Sequence, residues 1–218
     1  MEEIAGWPLR HGIVVLGQSV SWAELVGQLA ALAVVFLARL RALVTWPVQI
    51  TATVLLFLVY AGAELGGMAT RQVLIMVISV YGWWAWRRGR DAVHGVAVRH
   101  GTNRQRVGTT AVFLAGVGLC GTVFAALDVS WAPWPDAWIF VGTLVAFWAQ
   151  AKGFVEFWLV WLAVDAISVP LQIMSGLWFS AVVYVVFAGL VLHGWFGWRR
   201  VERRRRAHRG SRANSVAV

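Results

Sequence analysis

The sequence predicts an all-α integral membrane protein with seven transmembrane helices, arranged as two three-helix repeats joined by a linking helix. Composition is the first of three observations behind this prediction, because 60% of the 218 residues are hydrophobic, 13% are charged and the mean hydropathy is +0.69. Typical soluble domains contain about 25% charged residues. The other two observations are a series of apolar stretches of helical length and an internal sequence repeat. Together they indicate a membrane protein rather than a soluble enzyme.

The cysteine content and the charge exclude several other classes. A single cysteine, Cys120, forms neither an intrachain disulfide nor a thiolate metal cluster, and we interpret it as a buried apolar side chain. The formal charge of +9 would favour nucleic-acid binding in a soluble chain. In a membrane protein the same charge is explained by topology, so no nucleic-acid partner is expected. The start Met-Glu-Glu lacks the basic region of a secretory signal peptide.

Seven stretches qualify as membrane spans. The hydrocarbon core of a bilayer is about 30 Å thick and requires about 20 mostly apolar residues per helix. The segments between the stretches carry most of the charged and turn-forming residues. The second, third and fifth stretches are short, so the number of spans is better defined than their ends. The predicted spans are residues 22–38, 47–61, 73–86, 107–127, 137–150, 157–174 and 177–195.

The basic residues predict the orientation of the chain. With the C-terminus in the cytoplasm, 17 of the 19 Lys and Arg fall on the cytoplasmic side, and only Arg10 and Arg71 fall on the other. Cytoplasmic loops of membrane proteins carry such an excess of positive charge. We therefore expect the N-terminus outside and the C-terminus inside. The arginine run at 203–206 is interpreted as an anchor at anionic membrane lipid, with binding of a regulator as the alternative.

An internal repeat divides the chain into two similar halves. YGWWAWRR at residues 81–88 recurs as HGWFGWRR at 193–200, and the same offset of 112 residues places Trp46 over Trp158 without a gap. Three helices per repeat is an odd number, so a linking helix is needed for both copies to have the same orientation. Parallel repeats of this kind are a transporter architecture with the substrate site between the copies. The predicted segments are an extracytoplasmic 1–20, repeats at 21–88 and 129–200, a basic loop with the linking helix at 89–128, and a basic tail at 201–218.

The sixth span carries the strongest candidates for substrate contact. Trp158, Trp161 and Asp165 are spaced i, i+3 and i+7 and therefore share one helix face. Their counterparts in the first repeat are Trp46, Gln49 and Thr53. Facing each other across the repeat axis, the two sets would form a pocket of aromatic planes with few polar groups. Such a pocket suits a flat heteroaromatic ring that carries hydroxyls.

Several of these polar and aromatic residues have a second interpretation. Asp165 lies deep in its span, where a carboxylate costs about 2.5–3.5 kcal/mol on insertion scales, so we interpret it as a polar anchor for substrate. A buried structural hydrogen bond is the alternative for Asp165, and a place in the interfacial aromatic belt is the alternative for Trp158. Tyr184, Gln172 and Gln28 are further polar candidates, and each alone is more typical of a hydrogen bond between helices.

A polar group lies where the fifth and sixth spans meet. Gln150 and Lys152 close the fifth span, and Glu156 opens the sixth, where a helix N-terminus favours an acidic side chain. We expect a local ion pair between Lys152 and Glu156, with a cytoplasmic gate that opens during transport as the alternative. The five histidines show no pair at metal spacing, and neither a nucleophile–base–acid arrangement nor a glycine-rich phosphate loop is visible. No metal, cofactor or catalytic residue is therefore expected.

These motifs resemble those of the PnuC family of vitamin transporters over about residues 20–200. The resemblance implies a SWEET-like fold of 3+1+3 helices, a homotrimer, and a place in a bacterial-type cytoplasmic membrane. It also implies facilitated uptake of a B-vitamin compound that is trapped by phosphorylation inside the cell, with branches for nicotinamide riboside, thiamine and riboflavin. The segments that carry the resemblance are WPDAWIFVG at 134–142, QAK at 150–152, EFWLVW at 156–161, Asp165, Gly194 with Trp198, WP at 46–47 and YGW at 81–83.

Within the family, residues 133–138 and 164–171 are most similar to the riboflavin-uptake branch, which places riboflavin slightly ahead of nicotinamide riboside. The resemblance assigns Trp158, Trp161 and Asp165 to the helix that contacts substrate, and Gln150 and Glu156 to the positions before it. We expect the Trp rings to stack on the heterocycle, Asp165 and Gln49 to form hydrogen bonds to its hydroxyl or imide groups, and Tyr184 to assist. Two alternatives to facilitated transport stay open, namely proton-coupled transport through Asp165 and a membrane scaffold that transports nothing.

Overall fold

Seven α-helices account for most of the chain in a computed structural model, which describes residues 11–15, 17–62, 66–91, 95–128 and 130–216. Each of the seven predicted spans overlaps one of them, so the prediction of seven helices is confirmed. The helices are α1 Trp22–Arg39, α2 Thr45–Gly62, α3 Gly66–Arg88, α4 Asn103–Ala126, α5 Pro133–Ala151, α6 Phe157–Met174 and α7 Trp178–Val216.

Two short antiparallel hairpins, which the sequence did not predict, lie outside the helices. Strands β1 Gly12–Val15 and β2 Gln18–Ser21 pair directly before α1, and β3 Arg90–Asp91 pairs with β4 Gly95–Val96 between α3 and α4. Residues 1–10, the first half of the predicted extracytoplasmic segment, lie outside the described residues.

Two helices exceed their predicted spans by the largest margins. Helix α3 begins at Gly66, seven residues before the predicted start, so Arg71 belongs to the helix and not to a loop. Helix α7 continues to Val216 because arginine is a good helix former and the basic tail contains no proline. Charge ends an apolar stretch in a hydropathy pattern, but it does not end a helix.

Several helices are suited to cross a membrane. By length and apolar composition, four helical segments of the described chain qualify: Thr45–Gly62, Asn103–Ala126, Phe157–Met174 and Trp178–Arg204. Helix α4 shows the lipid-facing character most clearly, since Val107, Val112 and Leu119 are each about two-thirds exposed. Apolar surface of this extent is unfavourable in water and compatible with hydrocarbon. These helices support a multi-pass membrane protein.

The two halves exchange their helix contacts. Helix α3 of the first half packs against α5 of the second half, and α7 of the second half packs against α1 of the first. Within each half, α2 packs on α3 and α6 packs on α7. Helix α4 lies between the halves in sequence and packs along α5. The third helix of each half therefore completes the core of the other half.

Paired tryptophan and glycine residues bring the helices of each half into close contact. The ring of Trp46 in α2 lies directly on Gly82 of α3, and the ring of Trp158 in α6 lies directly on Gly194 of α7. Both tryptophans are fully buried. The two pairs are separated by the repeat offset of 112 residues. A side chain at either glycine would occupy the space of the indole, so the close approach explains why glycine stands in both helices.

Two further tryptophans join the halves. The indole N–H of Trp86 donates to the Gln150 carbonyl at 3.1 Å, and the indole N–H of Trp198 donates to the Ala38 carbonyl at 3.2 Å. The two rings lie 6.3 Å apart between their centroids. These contacts are again related by the offset of 112 residues, and each bond runs from the third helix of one half to the first helix of the other.

The segment before α4 is bound to the turn between α5 and α6. The Arg99 amide donates to the Gly153 carbonyl, and the Val155 amide donates to the Arg99 carbonyl, both at 3.0 Å. Gly153 has a φ of +68°, and a Cβ there would lie 2.5 Å from the Ala97 carbonyl oxygen. Glycine is required at this position both by the left-handed backbone and by the close approach.

Candidate functional site

A central cavity lies between six helices, three from each half. About 950 Å³ of space is free of protein atoms there, and part of this space is open to solvent. Most of its wall is apolar and aromatic. The polar residues of the wall are Gln28, Gln49, Arg71, Gln72, Thr143, Gln150 and Tyr184.

Five of the residues predicted from sequence line this cavity. They come from α2, α5, α6 and α7, so residues far apart in the chain are brought together as the repeat interface requires. The indole of Trp161 stands edge-on against Phe147 and Phe187, each with ring centroids 5.4 Å apart. The five residues are Gln49, Gln150, Trp158, Trp161 and Tyr184.

Trp46 and Thr53 lie behind the wall. Trp46 is fully buried between Gly82 and the edge of Trp86, at a centroid distance of 5.2 Å from the latter. The Thr53 hydroxyl donates to the Gln49 and Ile50 carbonyls of its own helix, at 3.1 and 2.9 Å. Neither residue is among those that line the cavity. Helical spacing correctly predicts that both residues share a face of α2 with Gln49. The indole of Trp46 is used for packing, however, and the hydroxyl of Thr53 bonds to its own helix, so both contacts are structural.

Asp165 is buried next to the cavity and is not part of its wall. The side chain is 3% exposed, and neither carboxylate oxygen has a hydrogen-bond partner within the described residues. The hydroxyl of Ser168, one turn further along α6, is likewise buried without a partner there. Asp165 interacts electrostatically with Tyr184, which does line the cavity. Asp165, which was predicted to anchor substrate, therefore makes no surface contact with the cavity.

Four polar residues of the wall lie outside the set predicted to bind substrate: Gln28, Arg71, Gln72 and Thr143, whose hydroxyl donates to the Ile139 carbonyl of its own helix. Gln28 was predicted to form an interhelical hydrogen bond, and its amide does donate to the Ser180 hydroxyl at 3.1 Å. Arg71 and Gln72 were assigned to a loop by hydropathy. The signal that could have found them is the spacing of Arg71 and Ile75, because residues four apart share a helix face and both line the cavity.

The polar group at the turn between α5 and α6 differs from the predicted pair. Lys152 does not bind Glu156; its ammonium donates to the Tyr81 hydroxyl at 2.5 Å and lies 5.0 Å from the centre of that ring. Glu156 instead contacts His100 at 2.9 Å and Arg106 at 2.6 Å. The expected ion pair was wrong because the turn at 152–155 directs the two side chains to different neighbours.

Glu156 holds the segment before α4 by several contacts. Besides the two side chains, its carboxylate accepts a hydrogen bond from the Gly101 amide at 3.1 Å. Burial by itself raises the pKa of Glu156, but the hydrogen bonds from Gly101 and His100 outweigh it, so the pKa lies below its ordinary value. Glu202 of α7 lies 3.6 Å from the other ring nitrogen of His100. The carboxylate of Glu156 is thus part of a cluster that joins α4, α6 and α7.

Comparison with known proteins gives a consistent result. The sequence profile described as nicotinamide mononucleotide transporter matches residues 21–200. The riboflavin/roseoflavin transporter RibM of Streptomyces davaonensis is 42% identical over 195 residues, which cover 88% of this chain and 91% of that protein. The nicotinamide riboside transporter PnuC of Escherichia coli is 25% identical over 224 residues, covering 91% of this chain and 92% of that protein.

The fold also has a counterpart among solved structures. The crystal structure of the vitamin B3 transporter PnuC superposes with a TM-score of 0.66 and covers 84% of this chain and 83% of that one. Sequence identity to it is 18%, so this likeness concerns the fold.

Proposed function

Because the chain belongs to the PnuC family, we propose that it mediates facilitated uptake of a B-vitamin compound across a bacterial-type cytoplasmic membrane, with riboflavin slightly preferred over nicotinamide riboside. Phosphorylation inside the cell would then trap the vitamin. The relative that is 42% identical is named a riboflavin/roseoflavin transporter, and the 25% identical one a nicotinamide riboside transporter. The higher identity supports the order of the two substrates.

The central cavity is the observation that carries this proposal. Its wall combines the rings of Trp158, Trp161 and Phe147 with a small number of amide, hydroxyl and guanidinium groups. A flat heterocycle stacks on the rings while its polar edge meets those groups. A role as a membrane scaffold requires no such cavity. Names of relatives and the absence of a catalytic arrangement in the sequence also favour a transporter over an enzyme.

We propose the 3+1+3 arrangement for the helices, with both copies in the same orientation, the N-terminus outside and the C-terminus in the cytoplasm. The exchanged contacts of α3 with α5 and of α7 with α1 support it, because they are related by the repeat offset. The distribution of Lys and Arg supports the orientation. The same family membership supports a homotrimer, and the basic tail supports contact with anionic lipid.

Transport is tested with purified protein in liposomes. We expect riboflavin to equilibrate into empty vesicles without ATP and without an ion gradient, and vesicles that enclose a riboflavin kinase with ATP to accumulate it beyond equilibrium. Protein-free vesicles are the control. Flux equal to that control for riboflavin, nicotinamide riboside and thiamine alike would contradict the proposal and favour a scaffold.

Proton-coupled transport is the second candidate, and buried Asp165 is the observation in its favour. A carboxylate without a hydrogen-bond partner is a group that can take up and release a proton during a transport cycle. An imposed pH gradient distinguishes the two modes. Facilitated transport gives the same final riboflavin distribution with and without the gradient, whereas coupled transport gives accumulation on one side.

A further inference from the structure

Within the described residues, the fully buried polar atoms of the cavity wall that have no hydrogen-bond partner are all donors. Among the residues that line the cavity, the buried side-chain atoms without a hydrogen-bond partner in the described chain are Arg71 Nε, Gln150 Nε2 and Trp158 Nε1. The guanidinium of Arg71 and the indole of Trp158 are able only to donate. A buried donor without an acceptor is unfavourable, so these groups favour a ligand that supplies acceptors.

Arg71 is also the one charged side chain in the described wall. Its guanidinium carries a positive charge. The carboxylate of Asp165 does not form a hydrogen bond with it, since neither oxygen of Asp165 has a partner in the described residues. Arg71, Asp165 and Tyr60 all interact electrostatically with Tyr184. Of these four groups, Arg71 and Tyr184 line the cavity. The charge that a ligand meets at the wall is therefore positive.

We propose that Arg71 selects an uncharged heterocycle rich in carbonyl and imine acceptors over permanently cationic vitamins. A ring that carries two carbonyls, such as the dione of a flavin, offers acceptors to the planar fork of the guanidinium. A pyridinium or thiazolium ring is repelled by the same group. This inference rests on the proposed function and adds to it the residue and the physical basis of selectivity.

The test compares Arg71→Gln and Arg71→Lys with wild type, using riboflavin, nicotinamide riboside and thiamine as probes. Riboflavin binding is followed by its fluorescence, and the two cationic vitamins by calorimetry. We expect Arg71→Gln to weaken riboflavin binding about tenfold or more while binding of the cationic vitamins stays equal or becomes tighter. Arg71→Lys should lose part of the riboflavin affinity and still disfavour the cations, because it keeps the charge but not the planar fork.

Gln150→Glu gives an independent arm, because it replaces a donor by a negatively charged acceptor. It should weaken riboflavin binding and strengthen binding of the cationic vitamins. Arg88→Gln is the matched control, since Arg88 is exposed on the same helix, stacks over Trp84 at 4.1 Å and does not line the cavity. Monodisperse elution and an unchanged unfolding midpoint identify variants that are folded.

Three outcomes overturn the proposed role of Arg71: riboflavin affinity within twofold of wild type in both folded Arg71 variants, an equal loss for all three vitamins, or a wild type that binds a cationic vitamin more tightly than riboflavin. This last comparison needs no variant, so the proposal is testable even if the substitutions prevent folding. None of these results concerns flux. A wild type that moves no vitamin in the liposome assay contradicts the proposed function separately.

Discussion

The indole of Trp158 packs on the backbone of Gly194, and a Cβ built at that glycine lies 2.4 Å from the Cη2 atom of the ring. Trp158 is fully buried, so it cannot move aside without displacing its own neighbours, Phe157 and Trp198. The same relationship holds between Trp46 and Gly82, where the distance is again 2.4 Å.

Gly194→Ala should therefore destabilise the protein. Forcing an additional methyl group into a packed core costs about 1–3 kcal/mol, which exceeds the gain of at most about 1 kcal/mol from replacing glycine in a helix. Thermal unfolding in detergent measures the difference. Gly189→Ala is the matched control on the same helix, because no atom lies within 4 Å of a Cβ there, and it should be neutral or slightly stabilising. Equal midpoints for the two variants would contradict the close packing of Trp158.

Trp86→Phe should weaken the attachment between the halves. The substitution removes the indole N–H that donates to the Gln150 carbonyl and leaves a void beside Trp198, at a combined cost of about 1–3 kcal/mol. Trp84→Phe, on the exposed side of the same helix, should change the unfolding free energy by less than about 0.5 kcal/mol. If the two substitutions prove equally mild, the bond to Gln150 contributes little.

Trp161→Ala should lower vitamin affinity. The ring lines the cavity and is held edge-on by Phe147 and Phe187, so its removal takes away a stacking surface whose orientation is fixed before binding. A loss of about 1.4 kcal/mol corresponds to a tenfold weaker dissociation constant, and we expect at least this for riboflavin by fluorescence titration. The control is Trp84→Ala at the exposed surface. Unchanged affinity in Trp161→Ala would remove this ring from the binding site.

Protein stability should fall at acidic pH because of Glu156. The folded-state pKa of Glu156 lies below the ordinary value of 4.5, so the carboxylate contributes stability that is fully present above about pH 5. That contribution is lost as the pH falls through the lowered pKa. Glu156→Gln should reduce the unfolding midpoint near pH 7 and flatten its dependence on pH between about 5 and 3. A variant whose midpoint follows the wild-type curve in parallel through this interval would show that Glu156 is not the group responsible.

Sequence was sufficient for the number of helices and for the family, both of which are confirmed. Hydropathy detects length and apolar character, and seven helices follow from these directly. It places the ends poorly, as α3 shows, because Gly66, Gly67 and Arg71 have the composition of a loop and yet form the first turns of a helix. Hydropathy averaged along the sequence does not distinguish a charged side chain that faces a cavity between helices from one that lies in a loop.

Sequence was less informative about the partners of each side chain. The repeat predicts that Trp46 and Trp158 occupy equivalent positions, and both rings do lie on equivalent glycines. The repeat does not predict that Trp158 lines the cavity while Trp46 does not. The contacts of Glu156 with His100 and Gly101 join residues more than fifty positions apart. These pairings depend on how the segment before α4 folds back onto the turn between α5 and α6. The spacing of Lys152 and Glu156 along the sequence carries no information about that fold.

The crossed bonds from Trp86 to Gln150 and from Trp198 to Ala38 have a consequence for the origin of the chain. Trp198 is the counterpart of Trp86 in the repeat, and Gln150 is the counterpart of Ala38. Each tryptophan therefore contacts the equivalent position of the other half, as in the isologous interface of a homodimer. This pattern is the one expected of a chain that arose by duplication of a self-associating three-helix unit. Within one chain the same contacts form independently of protein concentration.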